Sequence, residues 1–176
     1  MNCFFREAEY FRNRLLAKTL ARISLPTMNR NQLQQHILEN IPLAKAMDLK
    51  VKELTQHMIK LEAPLHPNTN DKGTAFGGSI YSLLVLSGWS LVASSLKTAA
   101  ITADVVVAKS NIDFVKPVTG ELVAIATELE KDGIKAAVEK TIERGYAKLK
   151  IHADLMCNGE VAASFNATYC IKTKTS

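Results

Sequence analysis

Positions 66–85 read HPNTNDKGTAFGGSIYSLLV. Asn70 and Asp71 stand in a polar run, and Gly77-Gly78 opens the apolar stretch that follows. These residue types suit attack on a carbonyl. Negative charge builds on the carbonyl oxygen as a nucleophile adds. The unpaired N–H groups and positive dipole end at the start of a helix can hold that charge. Gly77 and Gly78 have no side chain to block the approach. One such donor is worth roughly 3–4 kcal/mol in a hydrolase. Asp71 offers a carboxylate that can take a proton. The same residues also have plainer roles. The glycines permit a tight loop-to-helix turn, Asn70 builds an Asx-turn, and Asp71 is a solvated loop charge.

That chemistry needs a helix starting near Gly77. Residues 73–96 contain no charged side chain, and the run is long enough to cross a bilayer. Serines at 79, 82, 87, 90, 94 and 95, with Gly88 among them, favour a helix buried in protein instead. Asn31 and Gln34 have the spacing of a capping box ahead of a helix with Leu33, Ile37, Leu38 and Ile41 on one stripe. Pro42 interrupts that stripe. Leu49 and Val51, then Ile59, Leu61 and Ala63, alternate with polar residues as strands do. Strands are expected over 104–115 and 121–129. A helix is expected over 132–144, from the four-residue recurrence of Ile134, Val138 and Ile142. Leu149 to Leu155 and Val161 to Tyr169 alternate on either side of Asn158-Gly159, a type I′ hairpin signal. The order predicts an α+β fold, one antiparallel sheet wrapped around a long central helix. Such a sheet leaves a face or an edge for a second copy to cover.

Composition narrows the function classes. The chain of 176 residues has 22 Lys and Arg against 17 Asp and Glu. Much of the excess lies in 1–27, where Arg6, Arg12, Arg14, Lys18 and Arg22 face only Glu7 and Glu9. The body at 28–176 is therefore close to neutral. With aromatics at 6%, it lacks the basic-aromatic interleaving of a nucleic-acid binder. Residues 1–27 are expected as a basic, poorly ordered extension or a loosely attached amphipathic helix. Cys3, Cys157 and Cys170 are odd in number and widely spaced, which suits a reducing compartment such as the cytoplasm. The four histidines are scattered, and no metal site is expected.

The run Asn70-Asp71-Lys72-Gly73-Thr74-Ala75-Phe76-Gly77-Gly78, with an apolar helix and antiparallel strands behind it, resembles the hotdog-fold acyl-CoA thioesterases. Within them it is most similar to the thioesterase-like domain that some bacteria carry behind an acetyltransferase domain. The likeness covers about residues 30–173. It implies hydrolysis of an acyl-CoA or acyl-carrier-protein thioester by direct water attack, without a cofactor. It also implies a homodimer or dimer of dimers with the site at the interface. Carried over by position, Asn70 would hold the attacking water, with Asn68 able to stand in, and Gly77 and Gly78 would receive the oxyanion. Asn68, Phe76 and Ser82 are expected along the substrate. The chain departs from the pattern in two places. Phe76 stands where many relatives have His, and Val85 stands where they carry Asp or Glu. The base must therefore come from elsewhere, and Asp71, Ser82, Ser87 and Asp113 are the candidates. The same departures leave a non-catalytic acyl-thioester binding protein as the alternative. A dehydratase ranks behind both, because it wants a positioned His with a carboxylate.

Overall fold

The computed structural model describes residues 28–174; the expected extension over 1–27 lies outside them. Helix α1 (Arg30–Asn40) opens with a capping box formed by Asn29 and Gln32. The Asn29 side chain accepts from the Gln32 amide, and the Gln32 side chain accepts from the Asn29 amide, both at 3.0 Å. The expected pair, Asn31 and Gln34, has the same spacing two residues too late. Gln34 is instead free to accept from the Val51 amide at 2.9 Å, which ties α1 to the first strand. Leu33 and Ile37 are fully buried beneath α1. Pro42 starts a second short helix, α2 (Pro42–Ala46), where its missing N–H costs nothing.

Strands β1 (Lys50–Leu54) and β2 (Met58–Ala63) form a hairpin that pairs Val51 with Leu61 and Leu54 with Ile59. The central helix α3 (Gly77–Thr98) follows a loop, and β3 (Ala103–Phe114) and β4 (Leu122–Glu128) come next. Helix α4 (Gly133–Arg144) then leads into β5 (Tyr146–Cys157) and β6 (Glu160–Thr173). The six strands make one antiparallel sheet in the order β1-β2-β4-β5-β6-β3. Asn158 and Gly159 both have positive φ, 52° and 81°, as a type I′ turn requires.

One stripe differs from expectation. Ile134 is buried under α4, but Ile142 is 55% exposed, and Ala137 and Thr141 complete the buried row. A four-residue recurrence overshoots the helical turn by about 40° at each step, so by Ile142 the side chain has rotated off the sheet.

The sheet curls around α3 and buries Leu83, Leu84 and Leu91 completely. Several of its serine hydroxyls are met within the helix. Ser87 Oγ donates to the Leu84 carbonyl at 2.8 Å, and Ser94 Oγ to that of Leu91 at 2.9 Å. Local bonds of this kind let polar side chains enter a core. Gly88 marks the closest approach of helix and sheet. Tyr169 on β6 is fully buried beside it and donates its hydroxyl to the Val85 carbonyl at 2.8 Å. Burial pushes that phenol well above its ordinary pKa, so it stays a neutral donor.

A methyl group at position 88 would fall 2.5 Å from the Tyr169 oxygen and 2.8 Å from its Cζ. In an open helix Gly→Ala stabilises by roughly 1 kcal/mol. Here overpacking dominates, and Gly88→Ala is expected to destabilise by about 1–3 kcal/mol in urea titrations. An unchanged or raised midpoint would show that Tyr169 does not press on the helix.

Candidate active site

The loop between β2 and α3 builds itself around two asparagines. Asn70 makes a compact turn. Its amide donates to the Thr74 carbonyl at 2.8 Å, and its carbonyl accepts from the Gly73 amide at 3.2 Å. Its Oδ1 accepts from the amides of Lys72 at 2.8 Å and Thr74 at 3.2 Å. Its Nδ2 donates to Thr74 Oγ1 at 2.9 Å and also reaches the Ala75 carbonyl at 3.4 Å. Gly73 closes the turn at φ 76°, a left-handed conformation that favours glycine. Asn68 is 2% exposed and donates Nδ2 to the carbonyls of Met47 at 3.0 Å and Pro64 at 2.8 Å.

These bonds revise two expectations. The Asn70 side chain is committed to its own loop, which is the Asx-turn role rather than a hold on free water. Asn68 has both amide hydrogens spent on backbone and no exposed face for a substrate, so it braces the loop from below. The loop in turn fixes the helix start. The Phe76 amide donates to the Asn68 carbonyl at 2.7 Å, and the Ala75 amide donates to that of Val118 at 2.8 Å.

Phe76 is the N-cap of α3 and contributes no side-chain cap. The first helical bond runs from the Ile80 amide to the Phe76 carbonyl at 3.0 Å. The amides of Gly77, Gly78 and Ser79 are thus left without a partner among the described residues. Two aromatic rings frame them. A Cβ on Gly77 would lie 3.7 Å from the ring of Phe114, and one on Gly78 would lie 2.9 Å from Cδ1 of Phe76 and nearer still to Cε1. Both rings are more than half exposed. Gly78 therefore has a reason beyond carbonyl access, since the Phe76 ring fills the space a side chain would need.

Gly78, Ser82, Val85 and Trp89 follow one another along the less buried face of α3. Ser82 is half-buried there, one turn from Gly78, and Val85 stands where a carboxylate was expected. Ser87 is not a site residue, because it is fully buried and bonded to Leu84. Asp71 is exposed at the loop tip, and Asp113 is exposed on β3 beside Phe114. The glycines, Phe76 and Ser82 thus come together, and Asn70 supports them from the loop.

The contribution of β3 was not foreseen. Phe114 faces Gly77, and Ser110 bonds the Tyr81 hydroxyl at 2.8 Å across to α3. Tyr81 also sets its ring edge-on to Phe165 at 5.8 Å. In the sequence Phe114 is one apolar residue near the end of the strand expected over 104–115, and nothing there ties it to Gly77.

Residues 30–173 match the family described as "Putative thioesterase (yiiD_Cterm)". Among solved structures, a protein of unknown function from Chlorobaculum tepidum is similar at a TM-score of 0.79 and 25% identity, over 85% of this chain and 100% of that one. A "putative thioesterase" from Shewanella oneidensis gives 0.73 at 28% identity, over 82% of this chain and 97% of that one. A "probable thioesterase" from Pseudomonas aeruginosa gives 0.69 at 25% identity, over 82% and 96%.

The bonding around Asn70 separates loop-building from chemistry. Asn70→Ala is expected to lower stability by about 1–3 kcal/mol, the cost of stranding partly buried partners. Asp71→Asn, at the exposed tip, is expected to stay within roughly 0.5 kcal/mol of the parent. Equal midpoints for both variants in urea would refute the bracing role.

Proposed function

The chain belongs to this hotdog-fold thioesterase family, and from that we propose that it hydrolyses acyl-CoA or acyl-carrier-protein thioesters by direct attack of water. The observation that carries the reading is the uncapped start of α3, where the Gly77 and Gly78 amides have no partner among the described residues and stand beside the rings of Phe76 and Phe114. In this reading a thioester carbonyl lies against those amides and the acyl group runs past Phe76 and Ser82. Water adds to the carbonyl carbon and gives its proton to Asp71. Charge collects on the oxygen beside the two amides, at the positive end of a 22-residue helix. The C–S bond then breaks, and the thiolate leaves and recovers the proton. Asn70 serves as a positioning residue that holds the loop carrying Asp71.

We also propose that the working unit is a homodimer joined along β3. That strand is twelve residues long, lies at the sheet edge and, among the described residues, pairs only with β6. Val106 is 57% exposed on it, and Phe114 and Val115 extend the apolar edge. Long apolar edges of this kind invite pairing. The Phe114 contact with Gly77 puts the candidate site at that edge, within reach of a second copy.

A second reading has a specific observation in its favour. Val85 replaces the helix carboxylate, so the chain could bind acyl thioesters without cleaving them. Release of free thiol from a series of acyl-CoA substrates, measured beside binding, separates the two. Saturable binding with no thiol release would leave only the binding protein.

If the reaction runs as described, Asp71→Asn lowers kcat by roughly 10²-fold with little change in KM. Gly78→Val lowers kcat/KM by roughly 10²-fold or more, as its side chain displaces the Phe76 ring and blocks the amides. A parental rate in Asp71→Asn, with a loss in Asp113→Asn, would move the base to β3. For assembly, sedimentation is expected to give a dimer at micromolar concentration and a shift toward monomer in Val106→Lys. A stable parental monomer would overturn the interface.

A further inference from the structure

At the opposite end of α3 from Gly77-Gly78 lies a cavity of about 550 Å³, within the usual size of a small-molecule site. Its walls come from four places. The last turns of α3 supply Ser94, Ser95 and Thr98, and the β1–β2 turn supplies Thr55 and His57. Helix α4 supplies Ile134, Lys135 and Val138, and the approach to α1 supplies Met28 and Arg30. The floor is apolar, from Leu54, Ile134 and Val138, and the rim is cationic. Among the described residues none of the lining is acidic. Arg30 bonds only the neutral side chain of Asn31, at 3.2 and 3.3 Å, and neither Arg30 nor Lys135 has a carboxylate partner among the described residues.

The imidazole on the rim is held in place. His57 Nδ1 lies 2.5 Å from Glu128 Oε1, and Glu128 Oε2 accepts from the Ile134 amide at 2.7 Å, at the start of α4. The Glu128 side chain is 10% exposed, so its charge is spent behind the wall and not on the cavity. One carboxylate thereby fixes the β1–β2 turn against α4 and leaves Nε2 of His57 without a partner among the described residues.

We propose that this cavity binds a carboxylate with an apolar tail. The tail would lie on Leu54, Ile134 and Val138. The head would meet Arg30 and Lys135, whose donors suit a carboxylate, with the His57 ring beside them. An uncharged ligand would leave the cationic rim unused, and a bare anion would leave the apolar floor wet. Seventeen residues of helix separate Gly77 from Ser94, so the cavity lies roughly 25 Å along the axis from the glycine amides. The inference therefore stands apart from the hydrolysis proposed above.

Calorimetric titration of the full chain with sodium decanoate, below its micellar range, tests it, with decanol as the uncharged match. Decanoate is expected to bind saturably and more tightly than decanol. Lys135→Glu, on an exposed helix position, is expected to weaken decanoate roughly tenfold by reversing one close charge, and to leave decanol unchanged. Gly78→Val is expected to leave decanoate affinity intact. The proposal fails if the full chain binds no decanoate, or if Lys135→Glu binds it as the parent does. It also fails if Gly78→Val alone abolishes binding, because the ligand then occupies the other end of the helix.

Discussion

A helix with no charge over most of its length has to be enclosed, and the rest of this structure follows from enclosing α3. Its serines satisfy themselves on carbonyls three or four residues back, so the helix enters the sheet without stranding most of its hydroxyls. Gly88 lets Tyr169 come within contact of the helix backbone. That approach in turn needs β6 to lie beneath the helix, which fixes where β5 and β3 run on either side. Ser90 is the one hydroxyl left buried without a partner among the described residues, a small cost beside the apolar area enclosed.

The enclosure also explains why the candidate chemistry sits at the helix start. Along its middle the helix presents Leu83, Leu84 and Leu91 to the sheet, with no room for a ligand. At its first turn the wrapping stops, and the bare amides of Gly77 and Gly78 meet the loop on one side and β3 on the other. The loop is stiffened by Asn68 from below and Asn70 from within, so the acidic tip stands on a rigid frame. Such a frame suits a reaction that depends on placing water and on little else.

Much of this was legible in the residues. Alternation located β1, β2, β5 and β6, the charge-free run located α3, and Asn158-Gly159 located the turn between β5 and β6 with its type. These signals are local, and local patterns survive folding. The misses were of another kind. Asn29 rather than Asn31 caps α1 because several polar residues there share the same spacing, and only the docking of Gln34 onto β1 chooses between them. For Asn70 the resemblance implied a hold on water and the residue type an Asx-turn, and only the bonds to Lys72 and Thr74 show the side chain committed to the turn. Phe114 was invisible as a site residue because its partner, Gly77, precedes it by a helix and most of a strand.

The placement of β3 bears on how the chain acquires its shape during synthesis. Among the described residues its one neighbour in the sheet is β6, which follows it by three elements, with Phe114 opposite Ala163 and Ala103 opposite Thr173. While the polypeptide grows on the ribosome, β3 emerges before its sheet partner and waits for β6 to be made. The intervening β4, α4 and β5 can assemble on β2 in the meantime, yet the valine-rich strand stays unpaired until last. Pairings this distant in sequence are slow to form, and the exposed run is open to wrong partners while it waits. The segment from β4 through β5 thus sets how long β3 stays open to such partners.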